Sequence, residues 1–337
     1  MSWVYPEPDF IDWRVARMLH AYRNTERGLR PITSQDEGLE DCVWIDLFGP
    51  QPGQIERVEA LGVTVPSLME LEEIQISSRL YREGTTDYMT VVLPGLTPEG
   101  RRRSLPVCFI LAPERLVTVR YHDPEPFRRY VANSGRDGIG SATPGRVAMG
   151  LVEDIVDHLA DTLEEIGRKL DEVSLQVFDE GGLGRANILQ RSLIAAGLLG
   201  ERIGKVRLAL LTLERALNYI EQFPTEKETS RDAKRLARGQ ARDIAALEVH
   251  ADFLSQRVSF VTDATLGLID LEQNKAVSVL SALVALFAPA TLISSIYGMN
   301  FAWMPGLHSE WGFLLAVLLM VGSGAIGYLY FKWRGWL

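Results

Sequence analysis

A short polar turn interrupts the most apolar part of the sequence. Gly298, Met299 and Asn300 directly follow an uncharged run at residues 276–297. Glycine permits a positive φ that ends a helix, and the last helix carbonyls then present the negative end of the helix dipole. Asn300 adds a side-chain amide oxygen beside them. Repeated around a symmetry axis, these neutral oxygens would suit a hard cation, and especially hydrated Mg²⁺, which sheds its water reluctantly.

Small and hydroxyl-bearing residues also recur inside the apolar run. They follow one another at intervals of three and four, which places them on one face of a helix. In a symmetric bundle this face would line a narrow path, partly polar and partly apolar, in which apolar rings gate by dewetting. The alternative, that the small residues only allow close helix packing, stays open. We name this set the pore stripe: Asn274, Val277, Ser281, Val284, Ala288, Thr291 and Ser295, with Leu280 beside it.

Two segments are long enough to cross a bilayer. Residues 276–297 and 311–331 contain no charged side chain, and each would span about 30 Å of hydrocarbon as a helix. In the second segment Ser323 and Gly327 form a small-xxx-small pair that fits close helix contact. Because two helices cannot enclose a hydrophilic path, any pore needs several subunits, and we expect one first helix from each.

The charges that flank these segments predict their orientation. Lys275 precedes the first segment, and Lys332 and Arg334 follow the second. The intervening loop, residues 298–310, contains neither Lys nor Arg. The positive-inside rule therefore places both chain ends, including the tail at 332–337, in the cytosol and the loop in the periplasm.

The rest of the chain divides into two predicted parts. Residues 1–140 mix short runs rich in Val, Ile and aromatic residues with helical patterns, which predicts a cytosolic α/β domain. Residues 141–275 are continuously helical in pattern and predict long cytosolic helices that form a stalk or funnel. The predicted strands are 43–49, 88–96, 106–112 and 115–121, and the predicted helices are 53–62, 66–81, 145–180, 183–223 and 225–298.

The last of these helices shows a seven-residue repeat in its cytosolic half. Such a seam would let copies of the helix pack on one another. Packing of the helix on its own domain explains the repeat equally well, so both alternatives remain open. The repeat consists of Leu247, Leu254, Val261 and Leu268, with Ala251, Val258 and Thr265 interleaved.

Composition excludes several classes of protein. The formal net charge is −9, which disfavours nucleic acid as a partner because phosphate binding needs a basic surface. The two cysteines, Cys42 and Cys108, are far apart and predict no disulfide framework. The N-terminus lacks the pattern of a signal peptide, so we expect that part in the cytosol. His158, His250 and His308 are isolated and no phosphate-binding glycine loop is present, so we expect neither an enzyme nor a cofactor.

Several motifs together resemble the CorA family of divalent cation channels. The segment YGMNF (297–301) follows the first span, an MP pair follows it, and the chain ends in KWRGWL. The resemblance extends back through DATLGLIDLEQN (263–274). It is weaker at VWIDL (43–47) and EEIQISSRLY (72–81).

This resemblance implies an α+β membrane protein that assembles as a homopentamer in the bacterial inner membrane. An N-terminal α/β/α domain would precede the funnel helices, the first span would line the pore and the second would form an outer ring. Gly298, Met299 and Asn300 would form the selectivity filter for hydrated Mg²⁺, with Co²⁺ and Ni²⁺ as further substrates. The family's pore positions correspond to Asn274 at the inner mouth and to Val277, Leu280 or Ser281, Ala288 and Thr291.

The sequence departs from the family pattern at two places. Residues 304–307 read Met-Pro-Gly-Leu where the family usually has Met-Pro-Glu-Leu, so Glu310 would replace the missing acidic residue that attracts cations. At Val277 and Ala288 the family often has bulkier residues, which leaves the position of the hydrophobic gate open. Two alternatives also remain: a Zn²⁺ transporter of the same superfamily, with or without proton coupling, and a membrane-anchored coiled-coil scaffold or sensor.

The resemblance also implies gating by cytosolic Mg²⁺ held between subunits by carboxylates. The sequence does not identify which carboxylates act as the sensor, since most acidic residues on a helix are simply solvated. The candidates are Glu70, Glu72, Glu73, Glu153, Asp154, Asp157, Asp161, Glu164, Glu165, Asp243, Glu248 and Asp252.

Overall fold

The computed structural model describes most of the chain, in two compact units. The described residues are 19–25, 28–32, 38–73, 75, 79–133, 141–179, 185–222, 228–299 and 311–334, without the side chains of 228–233. One unit comprises Met1–Glu172 with Ala196–Ser259, and the other comprises Val173–Ala195 with Phe260–Leu337. The domain limits predicted from the sequence follow the expected membrane boundaries. The two compact units do not test those boundaries, so the limits stay predictions.

A seven-stranded mixed sheet forms the centre of the first unit. Its strand order is β2-β1-β3-β7-β6-β5-β4; β3 and β7 are parallel, and the other neighbours are antiparallel. The strands are β1 Leu19–Thr25, β2 Gly28–Pro31, β3 Trp44–Phe48, β4 Leu80–Glu83, β5 Thr86–Leu96, β6 Arg102–Leu111 and β7 Leu116–Arg120.

Helices cover both faces of the sheet. Ile45 and Leu47 belong to a buried cluster that includes Val58 of α1 (Pro52–Glu59) and Leu71 of α2 (Leu68–Glu72). On the other face, the Trp44 ring lies 6.3 Å from that of Phe127 in α3 (Glu125–Asn133). This alternation along β3 follows from the period of two in a strand, and it gives the predicted α/β/α layering.

A buried ion network holds the α3 side of the sheet. The Arg120 guanidinium donates to Asp46 Oδ2 at 2.9 Å and to Asp123 Oδ1 at 2.8 Å. The Phe48 and Phe127 rings lie 4.2 Å and 5.0 Å from the guanidinium carbon. All three charged groups are buried, so the pairing offsets the cost of removing them from water.

Long helices follow the sheet. They are α4 Pro144–Phe178, α5 Arg185–Gln222, α6 Glu228–Tyr297 and α7 Gly312–Trp333. Their limits lie within a few residues of the predicted ones. Among the described residues, two helices are long and apolar enough to cross a membrane, one ending at Tyr297 and the other being α7.

Some expected elements differ from the structure. The four predicted strands are confirmed, and the predicted hairpin at residues 112–114 joins β6 to β7. The helix predicted over 66–81 is wrong in part: Leu68–Glu72 is helical, but Leu80–Glu83 is a strand paired with β5. The strands β1 and β2 were not predicted, since their short polar sequences lack a clear alternation.

The seven-residue seam of α6 is buried within the chain itself. Leu254 is 1% exposed, and its Cδ2 would lie 3.7 Å from a Cβ built on Gly167 of α4. Val258 Cγ1 would lie 3.4 Å from a Cβ built on Gly200 of α5. The helix therefore packs on its own domain at these positions, which decides between the two alternatives there.

Candidate ion-conduction site

The turn that follows α6 begins at the residue predicted for it. The helix ends at Tyr297, and the Gly298 N–H donates to the Ser294 carbonyl at 2.9 Å. The expectation of a positive φ at Gly298 is wrong, because the described glycines with positive φ lie elsewhere in the chain. A Cβ at Gly298 would lie 3.2 Å from the Ser294 oxygen, so it is close approach to that carbonyl that favours glycine.

Met299 follows in the same turn. Its N–H donates to the Ile296 carbonyl at 3.2 Å, and its side chain is half exposed. Asn300 and Glu310, which the sequence assigns to the filter and to cation attraction, lie outside the described residues. Two of the three residues predicted to form the filter therefore lie at the C-terminal end of α6, where the helix dipole is negative.

Every member of the pore stripe is exposed in the single chain. Val277, Leu280 and Val284 are 61%, 63% and 60% exposed, although each is apolar. The polar and small members, Asn274, Ser281, Ala288, Thr291 and Ser295, are exposed as well. Most of the span is exposed in the single chain, including apolar residues outside the stripe such as Leu283, Phe287 and Leu292, so the stripe is one part of a surface that its own chain does not cover.

The first span packs on α7 through the opposite side. Ala282 is fully buried, and Ser278, Leu286 and Ile293 are half-buried, at intervals that mark one helix face. Leu286 Cδ1 lies 3.5 Å from a Cβ built on Gly327 of α7. At 3.6 residues per turn, the centre of this face lies about 150° around the helix from the centre of the pore stripe.

The α7 side of the contact is made of small residues. Gly312 and Ala316 are buried, and Ser323 and Gly327 are half-buried at the same helical spacing. This arrangement matches the close contact that the Ser323–Gly327 pair predicts. Small residues let the two helices approach, since packing rather than the hydrophobic effect drives helix association in lipid.

A hydroxyl on the pore stripe is already satisfied as a donor. Thr291 Oγ1 donates to the Phe287 carbonyl, one turn earlier, at 2.9 Å. Its oxygen lone pairs remain for an outside partner. A hydroxyl held in this way can accept a hydrogen bond from the water shell of a cation.

The α7-facing side of α6 was not predicted, although the sequence contains a signal for it. Continuing the buried seam from Leu254 and Val261 by sevens gives Leu268, Lys275, Ala282 and Pro289. Ala282 lies in the centre of the face that packs on α7. The pore stripe shares the period of the seam but lies on the other side of the helix.

Carboxylates are crowded at two places in the first unit. Burial and the carboxylates of Asp157, Asp154 and Asp243 raise the pKa of Glu153. Burial, with Glu214 and Asp252, likewise raises the pKa of Glu248. Like charges held close together disfavour ionisation, and a divalent cation would relieve that repulsion. Within the described part of the chain, no three His, Cys, Asp or Glu side chains are grouped closely enough to hold a metal ion.

Known proteins match this chain over almost its whole length. A family model described as CorA-like Mg²⁺ transporter protein matches residues 40–333. The magnesium transport protein CorA of Sodalis glossinidius is 31% identical over 322 residues, covering 95% of this chain and 100% of the relative. The protein of the same name from Haemophilus influenzae is 31% identical over 328 residues, with the same coverage.

A solved structure shares the fold. The CorA magnesium transporter of Methanocaldococcus jannaschii superposes with a TM-score of 0.71 at 18% sequence identity. The match covers 95% of this chain and 99% of that one. The chain thus shares with that transporter a fold that contains a mixed-sheet domain, long helices and two apolar C-terminal helices.

Proposed function

We propose, on the premise that this chain belongs to the CorA family of ion transporters, that it is a channel for Mg²⁺ influx. Family membership confirms the resemblance predicted from the sequence, and the family consists of transporters, not enzymes. In this proposal a ring of Asn300 side chains selects the hydrated ion. Gly298 and Met299 hold that ring at the outer end of the first span. Co²⁺ and Ni²⁺ would pass as well, because a site for hydrated ions discriminates weakly.

One observation carries this proposal. The first span packs on α7 through one side and leaves the pore stripe uncovered on the other. Hydroxyl and amide groups that face lipid find no further hydrogen-bond partner there, so water or another copy of the helix is the favourable neighbour for the stripe. Copies arranged with their stripes towards a common axis supply both.

The assembly follows from the same requirement. We expect a homopentamer, as the resemblance implies, with the first spans inside and the α7 helices outside. The basic flanks place both chain ends in the cytosol of a bacterium and the 298–310 loop outside the inner membrane. Glu310 in that loop would attract cations, and Glu310→Gln should then lower uptake at low external Mg²⁺.

Cytosolic Mg²⁺ would close the channel by binding carboxylates between subunits. The crowding around Glu153 and Asp243 supports a role for this part of the first unit, because bound Mg²⁺ would relieve the repulsion there. A channel that is closed in this way by the ion it transports limits uptake once the cytosolic Mg²⁺ concentration is high.

Cation flux into proteoliposomes tests the function. We expect Mg²⁺ entry without a pH gradient in the wild type and loss of most of that entry in Asn300→Ala. Asn218→Ala, which changes an exposed asparagine on α5, serves as the matched control and should conduct normally.

The same vesicles separate the rival functions. Zn²⁺ flux driven by a pH gradient, with little Mg²⁺ flux, would assign the chain to zinc transport. Absence of flux for both ions would contradict a transport function and favour a membrane-anchored scaffold. Mg²⁺ entry that is unchanged in Asn300→Ala would remove Asn300 from the filter.

A further inference from the structure

The pore stripe continues past the membrane boundary into the cytosol. Stepping back from Asn274 at the same intervals of four and three gives Asp270, Gly267 and Asp263. Both aspartates are exposed, and α6 is one unbroken helix through this segment. A continuous helix keeps its phase, so Asp270 lies about 40° around the axis from Asn274.

The nearest lysine does not neutralise Asp270. Lys275 Nζ lies 3.2 Å from Glu272 Oε1, so this lysine is paired to a different carboxylate. Glu272 lies about 160° from Asp270 around the helix, on the other side from the pore stripe. Within the described part of the chain, Asp270 forms no ion pair. Its charge therefore acts on the solvent in front of the stripe.

Distance distinguishes Asp270 from Asp263. At 1.5 Å per residue, Asp270 lies about 6 Å along the helix from Asn274, whereas Asp263 lies about 16 Å away. The Debye length at physiological ionic strength is about 8 Å. A cation level with Asn274 therefore interacts with the Asp270 carboxylate, while salt largely screens the charge of Asp263.

We propose that Asp270 is a conduction-determining residue, whose carboxylate, repeated in each subunit, concentrates divalent cations at the inner mouth beside Asn274. This inference rests on the proposed channel function and adds a residue to it. A ring of negative charge at a narrow mouth focuses the field and raises the local cation concentration. The ion keeps its water, and Asp270 acts through charge at a distance rather than by direct coordination.

Flux measured at two ionic strengths tests the role of Asp270. We would measure initial Mg²⁺ entry in proteoliposomes with about 10 mM and about 1 M background salt, where the Debye lengths are about 30 Å and about 3 Å. Asp270→Asn should lower flux at least about three-fold at low salt and should match the wild type at high salt. Asp270→Glu keeps the charge and should restore low-salt flux.

Glu272→Gln provides the control, since it removes the same charge at nearly the same depth on the opposite side of the helix. Because Glu272 is paired with Lys275 and faces away from the stripe, its removal should lower low-salt flux less than Asp270→Asn does, and should leave high-salt flux unchanged. Equal flux in Asp270→Asn and wild type at low salt would overturn the inference alone. A loss of the same size at both ionic strengths would also overturn it, because it would show a structural role. Absence of wild-type flux would instead overturn the channel function itself.

Discussion

The sheet domain and the first span treat their polar groups in opposite ways. In the sheet domain, Arg120 is buried, and both of its carboxylate partners lie within 3 Å inside the same chain. In the first span, Thr291 and Ser281 are exposed on an otherwise apolar helix. The ion network of the domain is complete within one chain. In the span, Thr291 donates to the Phe287 carbonyl, but its hydroxyl oxygen stays exposed, open to other subunits, water or an ion.

This contrast indicates which part of the molecule depends on assembly. Burying an unpaired charge costs several kcal/mol, so the network around Arg120 has to be complete within each chain. An uncovered hydroxyl stripe has no such requirement until the helix enters lipid. We therefore expect substitutions in the domain to change the stability of each chain, and substitutions on the stripe to change transport.

The largest effect is expected at Arg120. Arg120→Ala leaves Asp46 buried without its guanidinium partner, while Asp123 keeps its contact with Arg128; we expect the free energy of unfolding to fall by about 3–5 kcal/mol. Thermal unfolding in detergent, followed by circular dichroism, measures the loss. Arg128→Ala is the control, because Arg128 is 54% exposed and reaches Asp123 from the surface at 3.1 Å; it should cost at most about 1 kcal/mol. Equal destabilisation by both variants would contradict the importance of the buried network.

Acidic pH is expected to have a smaller effect on the free energy of unfolding. His122 is fully buried, its Nε2 donates to the Leu93 carbonyl at 2.8 Å, and its Nδ1 has no hydrogen-bond partner among the described residues. Burial lowers the pKa of His122 from 6.5 to about 4. As the pH falls, His122 is therefore protonated at a higher pH in the unfolded chain than in the folded chain, and stability is lost between pH 6.5 and about 4.

The size of that loss follows from linkage. A shift of this size corresponds to about 3 kcal/mol, which is present above pH 6.5 and gone near pH 4. His122→Gln should be less stable than the wild type at pH 7, and the gap should narrow as the pH falls to 4.5. A gap that stays constant across this range would show that His122 does not titrate in the predicted window.

The contact between the two spans predicts the smallest effect on stability. Gly327→Val places side-chain atoms against Leu286, which should cost about 1–3 kcal/mol through overpacking. Gly322→Val is a matched control on the same helix, since a Cβ there would meet nothing within 4 Å. Thermal stability in detergent should fall for the first variant only. Similar losses for both would contradict this packing of α7 on the first span.

Local patterns in the sequence predicted the long helices, the central strands and the period of the pore stripe. Each of these depends on repeats within a few turns or on runs of β-branched residues. Partners distant in sequence could not be predicted, because Asp46 and Arg120 meet only when β3 and β7 pair in parallel across 74 residues. The strand β4 was assigned to a helix because four residues at a sheet edge carry too little alternation to identify them.

The predicted filter shows a similar limit. The position of the turn at Gly298 followed from an uncharged run ending in glycine. The sequence did not predict the φ angle of Gly298, because the contact with the Ser294 carbonyl depends on how the last helical turn closes. The side of the first span that packs on α7 could have been predicted by extending the buried seam through Ala282.

The proposed pore requires that the stripe side of the first span, and not the side against α7, faces the ion. Adjacent residues separate the two sides: Ser281 lies on the pore stripe, whereas Ala282 is buried against α7, about 100° away. Thr291 on the stripe and the half-buried Ile293, two residues apart and about 160° around the helix, form a second pair. The native thiols interfere little, because Cys42 and Cys108 are buried, and burial raises the pKa of Cys108 to about 12.

The most direct measurement is the block of Mg²⁺ flux by a charged, membrane-impermeant thiol reagent in single-cysteine variants. Ser281→Cys and Thr291→Cys should react and lose flux, because their side chains face the water-filled path. Ala282→Cys and Ile293→Cys should keep their flux under the same treatment. Block of the second pair with protection of the first would contradict a pore lined by this stripe.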